Sequence, residues 1–583
     1  MSTKTHIPGK DAALEDTLER ATTLLHSHGF PVALASWRNP VQGCWSVHLR
    51  STQCPQLYTN GKGASKLASE VSAILEFFER VSTNLFFADY YLGDESADGS
   101  DFVFFPQEKW FPVEDATQIP THAPDGTPLL NAKLLDFYNP AGELTPALLH
   151  DNNSDNRARG ISALPFEQLE TKETVYFPVS VLNNIYVSNG MAAGNTPTEC
   201  CAQALAEILE RYVKNTVIAE GIALPNVPQK VIDRYAHIQE GIAELRAHGF
   251  TILVKDASLG GKFPVVCVLL VNPDNGGCYA SFGASCRFEV ALERTVTELL
   301  QGRELDELNV FQPPCHDTDT VADALNLESH FINSDGLLSW RMFRDAPDFA
   351  FDDWDFAGSS ADEYARLKAI IRDLGYEAYC ADYAHCGIYT CRILVPGMSE
   401  IYPVDDLVWD NKTSAVALRP QLLRLGQMSK DALSKLLEEL DEIGLSDEQP
   451  ISDAIGVLFD EGSAWCSLRV GELKAMITLA TGQLKEAAHW CRWCESFGFL
   501  PAPRQKLYRA IIDLVDFGLS DGEASDYHGS LKGFFGEELL ATAEAIVSGK
   551  LTFHGLNFAK TWEEISPAHG NLLSVYRRLQ LLK

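Results

Sequence analysis

Positive charge is what this sequence has least of. Its 47 Lys and Arg face 80 Asp and Glu, a formal net charge of −33 over 583 residues. So acidic a chain lacks the basic surface whose counterion release holds exposed nucleic-acid phosphates. The charge favours solubility and encounter with basic partners instead. Long apolar runs are missing too: the longest, Phe263 to Val271, is too short to cross a bilayer and reads as a buried strand. The opening residues, Met1-Ser2-Thr3-Lys4-Thr5-His6, hold no apolar signal segment, so a soluble cytoplasmic protein without membrane contact is expected. There is no G-x-x-x-x-G-K-[ST], which excludes a Walker loop as phosphate cradle. There is no D-D-x-x-D of the polyprenyl synthases either.

Paired thiol motifs are also scarce. The 14 cysteines are too dilute for a disulfide scaffold. Many lie in apolar settings, such as Cys267 in Val265-Val266-Cys267-Val268 and Cys391 in Tyr389-Thr390-Cys391, so reduced thiols are expected. Cys491-x-x-Cys494 falls within a helical pattern and has no second ligand pair, which argues against a zinc site there.

A chain this long exceeds one core, so two or more domains are expected. The spacing predicts helices over about Ala12–His28 and Lys66–Thr83, with a turn at Asn60-Gly61. Strands are expected at Cys44–Leu49, Val175–Val181, Thr251–Val254, Pro264–Val271 and Ile388–Val395, and an irregular insertion over 84–170. Helices between strands point to an α/β or α+β core. Beyond residue 426 only helical patterns remain. Ser467–Ala475 through Ala480–Ala488 resembles a tetratricopeptide hairpin, with Gly482 in the turn and Ala487-Ala488 in the second helix.

What the chain does have is a repeated acidic stripe. Gly63-Ala64-Ser65 leads to Glu76-Phe77-Phe78-Glu79-Arg80. Gly194-Asn195-Thr196 leads, at the same spacing, to Glu207-Ile208-Leu209-Glu210-Arg211. A looser relative after Gly283 carries Arg294, Glu298 and Gln301. On helices of about 100° per residue, Ser69, Ser72, Glu76 and Glu79 share an arc of about 80°. Glu199, Gln203, Glu207 and Glu210 share another of about 80°. One account makes these rows solvent-facing sides of amphipathic helices, with Glu199 in the capping box Thr196-Pro197-Thr198-Glu199. The other makes them converge. Six hard carboxylate ligands then suit Mg2+, with Arg80, Arg211 or Arg294 clamping phosphate. The recurrence of E-x-x-E-R without interspersed lysine favours convergence.

These residues resemble the YcaO family. Asn60-Gly61-Lys62-Gly63-Ala64 with Glu76-x-x-Glu79-Arg80 is similar to its first motif. Ser188–Asn195 with Glu199, Glu207, Glu210 and Arg211 is similar to its second, Ala291–Gln301 to its third and Val395-Pro396-Gly397 to a later one. The likeness covers most of residues 1–425, and the helical tail agrees with the enterobacterial type member. The resemblance implies a YcaO-type α/β (α+β) ATP-binding core over 58–425 and an N-terminal α/β segment (1–57) that reaches the nucleotide. A helical, tetratricopeptide-like domain (426–583) completes the chain. It implies ATP with two or three Mg2+ held by Glu76, Glu79, Glu199, Glu207, Glu210 and Glu298. Lys10, Thr17, Ser72, Asn195, Gln203, Arg211 and Arg294 would address the nucleotide, and Glu79, Glu207, Arg211 and Arg294 would be catalytic.

The implied activity is ATP-dependent assistance to post-translational modification of a protein or peptide substrate. The type member points to β-methylthiolation of an aspartate in small-subunit ribosomal protein twelve, beside a radical methylthiotransferase. A homodimer is what the family suggests. Azoline or thioamide formation on a peptide is the alternative enzyme reading. The tail Arg577–Lys583 lacks the proline-rich ending of azoline-forming members, and no fused leader-binding domain is apparent, which argues against it. A non-catalytic adaptor for the methylthiotransferase is the third reading.

Overall fold

The computed structural model describes residues 4–93, 102–154, 157–332, 334–356, 358–498, 500–520 and 524–583. Three sheets carry the first four hundred residues, and every pairing between their strands is antiparallel, the α+β form of the expected core. The first joins β1 (Val32–Val41), β2 (Cys44–Ser51) and β3 (Tyr58–Gly63) in chain order. The largest has six strands: β4 (Lys109–Phe111), β5 (Ile161–Gln168), β6 (Thr174–Pro178), β7 (Met191–Gly194), β11 (Tyr379–Tyr383) and β12 (Tyr389–Leu394). Its order is β4-β5-β11-β12-β7, with β6 also on β5. The third runs β10-β9-β8, from β8 (Thr251–Asp256), β9 (Val265–Val271) and β10 (Cys278–Ala284).

A strand from each sheet, with glycine at or next to its end, runs through a short link into an acidic helix. β3 leads to α2 (Lys66–Ser82), β7 to α3 (Pro197–Glu220) and β10 to α4 (Phe288–Leu299). Ser65 and Thr196 cap the first two of these helices by accepting from Ala68 N and Glu199 N. Each helix folds straight back onto its own strand, which requires glycine where backbone and helix meet. A Cβ on Gly61 would lie 2.0 Å from Ser69 O, and one on Gly283 2.4 Å from Thr295 Oγ1. α3 is the central helix: Leu205 and Leu209 share a core with Cys267 and Leu269 of β9, Cys391 and Ile393 of β12, and Leu367 and Ile371 of α5 (Ser360–Asp373). The alternate residues of β9, Val266, Val268 and Leu270, pack with Leu292 and Val296 of α4. Burial on both faces is why this strand reads as an unbroken apolar run.

Several expectations change. Asn60-Gly61 is not a turn but lies inside β3, where Gly61 serves the close approach of α2. β6 stops at Pro178 and residues 179–181 are helical, so the strand expected to Val181 is shorter. The 84–170 stretch contains β4, all of β5 and a short helix, Ala132–Tyr138, among loops; residues 94–101 and 155–156 within it lie outside the described part. The boundary drawn after residue 57 falls between β2 and β3, which pair along Trp45–Arg50, so both belong to one sheet.

After residue 426 the described chain is helical, from α6 (Lys430–Ile443) to α11 (Pro567–Gln580). Between them, α7 (Val470–Thr481) and α8 (Leu484–Ser496) form the expected helical pair. They are joined by Gly482 at φ +83°, a left-handed conformation that glycine takes without strain. α9 (Ala502–Leu519) and α10 (Glu537–Val547) follow. Cys491 and Cys494 are both buried in apolar packing with α9. α11 returns to the core of the first sheet, with Leu572, Leu573, Tyr576 and Leu579 buried beside Phe30 and Phe87. No described helix is long and apolar enough to cross a membrane.

Candidate functional site

The three acidic helices bring their stripes to one place, organised around Lys62 of β3. Its ammonium contacts the Glu298 carboxylate of α4. Burial is the main cause holding its pKa down, to about 8, while Glu210, Glu76 and Glu207 oppose that and Arg294 adds to it. Those neighbours come from all three helices. On α2, Arg80 bridges Glu76 (3.1 Å) and Glu79 (3.2 Å). On α3, Arg211 meets Glu207 at 3.0 Å, and Glu210 accepts from the backbone N–H of Ala284 at 3.0 Å, tying α3 to the end of β10. Arg294 of α4 donates to Gln203 of α3 at 2.6 Å. The Ser72 hydroxyl lies 3.5 Å from the Lys62 backbone N–H.

The site holds nearly matched charge. Among the described residues these carboxylates do not form a trio within one ion's coordination distance; each is drawn to an arginine or lysine, or to a backbone N–H, instead. Glu79 is the least compensated: burial pushes its pKa up to about 8, Arg80 and Arg211 pull against this, and Glu207 and Glu76 push with it. Among the described residues, Arg211 Nη1 is buried without an acceptor.

Glu199 belongs to a second group at the start of α3, about 12 Å along the helix from Glu207 at 1.5 Å per residue. It is 2% exposed. It accepts from Asn195 Nδ2 at 3.2 and 3.1 Å and from the Asp11 backbone N–H at 2.9 Å, with Lys10 Nζ at 3.5 Å. Thr17 of α1 (Leu14–Ser27) donates to Asn195 Oδ1 at 3.0 Å. The capping box is thus half formed: Thr196 caps, but the Glu199 carboxylate turns to the N-terminal segment. Gln301 also departs from expectation. It lies past the end of α4 and donates to the Asn60 carbonyl at 2.7 Å, so it braces β3 from a turn rather than from the helix face.

Two cations of the site carried no clear sequence signal. Lys62 sits in Gly61-Lys62-Gly63, too short to stand for a phosphate loop. Lys214 of α3 is half-buried, its pKa lowered to about 8 by desolvation first, with Glu210 opposing. Its position four residues after Glu210 is the spacing that could have flagged it. Asp11, linked to Thr196 and to Ser360 Oγ (2.8 Å), joins the N-terminal segment to α3 and α5.

The donor set fits a metal-bound nucleotide. Hard carboxylate oxygens suit Mg2+, and a buried guanidinium nitrogen without an acceptor suits a phosphate oxygen.

Comparison with known proteins places these features. Residues 60–399 match the model of the YcaO cyclodehydratase family, described as ATP- and Mg2+-binding, and residues 415–583 match the YcaO cyclodehydratase C-terminal domain. An uncharacterised protein of Haemophilus influenzae is 47% identical over 590 aligned residues, covering 100% of this chain and 99% of that protein. The ribosomal protein S12 methylthiotransferase accessory factor YcaO of Escherichia coli is 46% identical over 587, with the same coverage. Among solved structures, YcaO from Methanopyrus kandleri bound with AMPPCP and Mg2+ is 17% identical with a TM-score of 0.40, covering 70% of this chain and 97% of its own. A heterocyclase in complex with substrate and cofactor is 16% identical with a TM-score of 0.43, covering 70% and 56%.

Proposed function

Since the chain belongs to the YcaO family, whose members bind ATP and Mg2+, we propose that it uses both to assist modification of a protein. The specific role is that of accessory factor in β-methylthiolation of an aspartate of ribosomal protein S12. The observation that carries the reading is the convergence of three acidic helices on Lys62, in a chain alignable end to end with the E. coli accessory factor.

Glu76, Glu79, Glu207, Glu210 and Glu298 would hold Mg2+, directly or through water, with Glu199 serving from the start of α3. Arg211 and Arg294, with Lys62 and Arg80, would take phosphate oxygens. Lys10, Thr17 and Asn195 would meet the nucleotide from the N-terminal segment, and Ser72 and Gln203 would position these groups. Five carboxylates stand against five cations once Lys214 is counted. ATP brings about four negative charges, which two Mg2+ would offset. When bound, ATP supplies phosphoryl or nucleotidyl activation of an amide or carboxyl oxygen. The residues bind and orient; the glycine-backed strands β3 and β10 let helix and strand close without intervening side chains, which keeps the carboxylates in register.

The partners would be S12 and a radical methylthiotransferase in the cytoplasm, met by the helical, tetratricopeptide-like tail of a homodimer. The test is mass spectrometry of S12 from a strain lacking this gene, complemented by wild type or by Glu207→Ala. Restored methylthiolation with wild type alone supports the reading. Equal rescue by Glu207→Ala would refute an ATP-dependent role and favour an adaptor. Loss of water or oxygen-to-sulfur exchange in co-expressed peptides would favour the cyclodehydratase or thioamide reading.

A further inference from the structure

Away from the acidic cluster, three thiols and a carboxylate meet where α3 crosses β11 and β12. Strand alternation puts Cys380 and Asp382 on one face of β11, and Cys391 is paired directly with Asp382 across to β12, so all three point the same way. That face meets the first turns of α3. Cys201 lies about 200° round the helix from Glu199, on the side turned from the nucleotide residues. The ligand atoms of Cys201, Cys380 and Asp382 all lie within 4.8 Å of one another. Cys391, fully buried, is within hydrogen-bonding reach of Cys200, Cys201 and Cys380.

We propose that Cys201, Cys380 and Asp382 form a binding site for a thiophilic d10 cation, with Zn2+ as the resident ion and Cys391 as the adjoining thiol. Four observations carry this. Sulfur atoms around one tetrahedral zinc stand about 3.8 Å apart, given Zn–S bonds of about 2.3 Å, and the ligand atoms of Cys201, Cys380 and Asp382 lie within 4.8 Å of one another. A set rich in sulfur selects Zn2+ over Mg2+, so the acidic helices do not compete for the same ion. Asp382 is held by the Tyr389 hydroxyl, the outer-shell hydrogen bond that orients a carboxylate ligand. Asp382 is exposed and Cys380 half-exposed while Cys201 and Cys391 are buried, which leaves one open side for ion entry. Binding exchanges the thiol protons for the metal and clamps the start of α3 to β11 and β12. The helix that carries Glu199, Glu207, Glu210 and Arg211 is thereby fixed against the sheet.

The experiment is Co2+ titration of the full-length, reduced protein, followed by displacement with Zn2+. One Co2+ per chain should give sulfur-to-cobalt charge-transfer absorption, a signature that carboxylate sites cannot produce. Zn2+ should abolish it, and Cys201→Ser and Cys380→Ser should weaken binding at least about tenfold. Asp382→Asn, on the exposed rim, tests the same ligand set without disturbing packing and should weaken binding as well. Cys491→Ser and Glu207→Ala should retain the band. Its absence in the wild type, or its persistence in both Cys201→Ser and Cys380→Ser, would overturn the assignment.

Discussion

Replacing Glu79 by glutamine should stabilise the ligand-free protein while destroying its grip on Mg2+ and nucleotide, and the stabilisation should grow with pH. The Glu79 side chain is only 13% exposed, and burial raises its pKa from 4.5 to about 8. Below pH 4.5 the group is protonated in folded and unfolded chains alike and contributes nothing. Between 4.5 and 8 the unfolded chain has lost a proton the folded one keeps, so stability falls by about 1.4 kcal/mol per pH unit. Above 8 the loss levels off, at a ceiling of about 5 kcal/mol for 3.5 units. Hydration and rearrangement of Arg80 and Arg211 relax part of this, leaving on the order of 2 kcal/mol between pH 5.5 and 8.5. Glutamine does not titrate. Thermal melts of wild type and Glu79→Gln without ligand should therefore separate by a few degrees at pH 8.5 and by less than about 1 °C at pH 5.5. Equal separation at both pH values, or a variant that melts lower at pH 8.5, would refute the electrostatic account of the site.

Three other perturbations probe different parts of the structure. Lys62→Met leaves Glu298, Glu210 and Glu207 without the cation they surround; nucleotide affinity measured by fluorescence with a labelled ATP should drop about tenfold or more. Gly61→Val places side-chain atoms against the Ser69 carbonyl and Ala73 backbone, and should unseat α2 from β3. A fall in melting temperature equivalent to at least about 3 kcal/mol would bear this out. In the helical tail, Glu472 is wholly buried and bound by Arg504 (3.0 Å) and Tyr508 (2.9 Å). Glu472→Ala strands that arginine and should cost about 3–5 kcal/mol, read by limited proteolysis of residues after 426.

Much of the site was legible because helix periodicity is a strong signal. The E-x-x-E-R repeats placed Glu76, Glu79, Glu207 and Glu210 on shared arcs, and a leading glycine marked the approach to each helix. Partners distant in sequence were not legible. Nothing about Lys62 announces that it will face Glu298, more than two hundred residues away; only the packing of α4 against β2 and β3 decides it. Gln301 was misplaced for a related reason, since the helix ends at Leu299 and periodicity cannot report its own termination. Asn60-Gly61 looked like a turn because the dipeptide favours one, yet tertiary packing needed the missing side chain within a strand. The cysteine cluster was invisible because its members, Cys201, Cys380 and Cys391, sit in unremarkable apolar surroundings along the chain. Only pairing β11 with β12 beneath α3 brings them together.

The most direct test of the central claim is calorimetric titration of ATP into the wild-type protein and Glu207→Ala, with and without Mg2+. The account predicts Mg2+-dependent binding of one nucleotide per chain, weakened at least about tenfold in the variant while the fold persists. Unchanged affinity in Glu207→Ala, or wild-type binding indifferent to Mg2+, would contradict it.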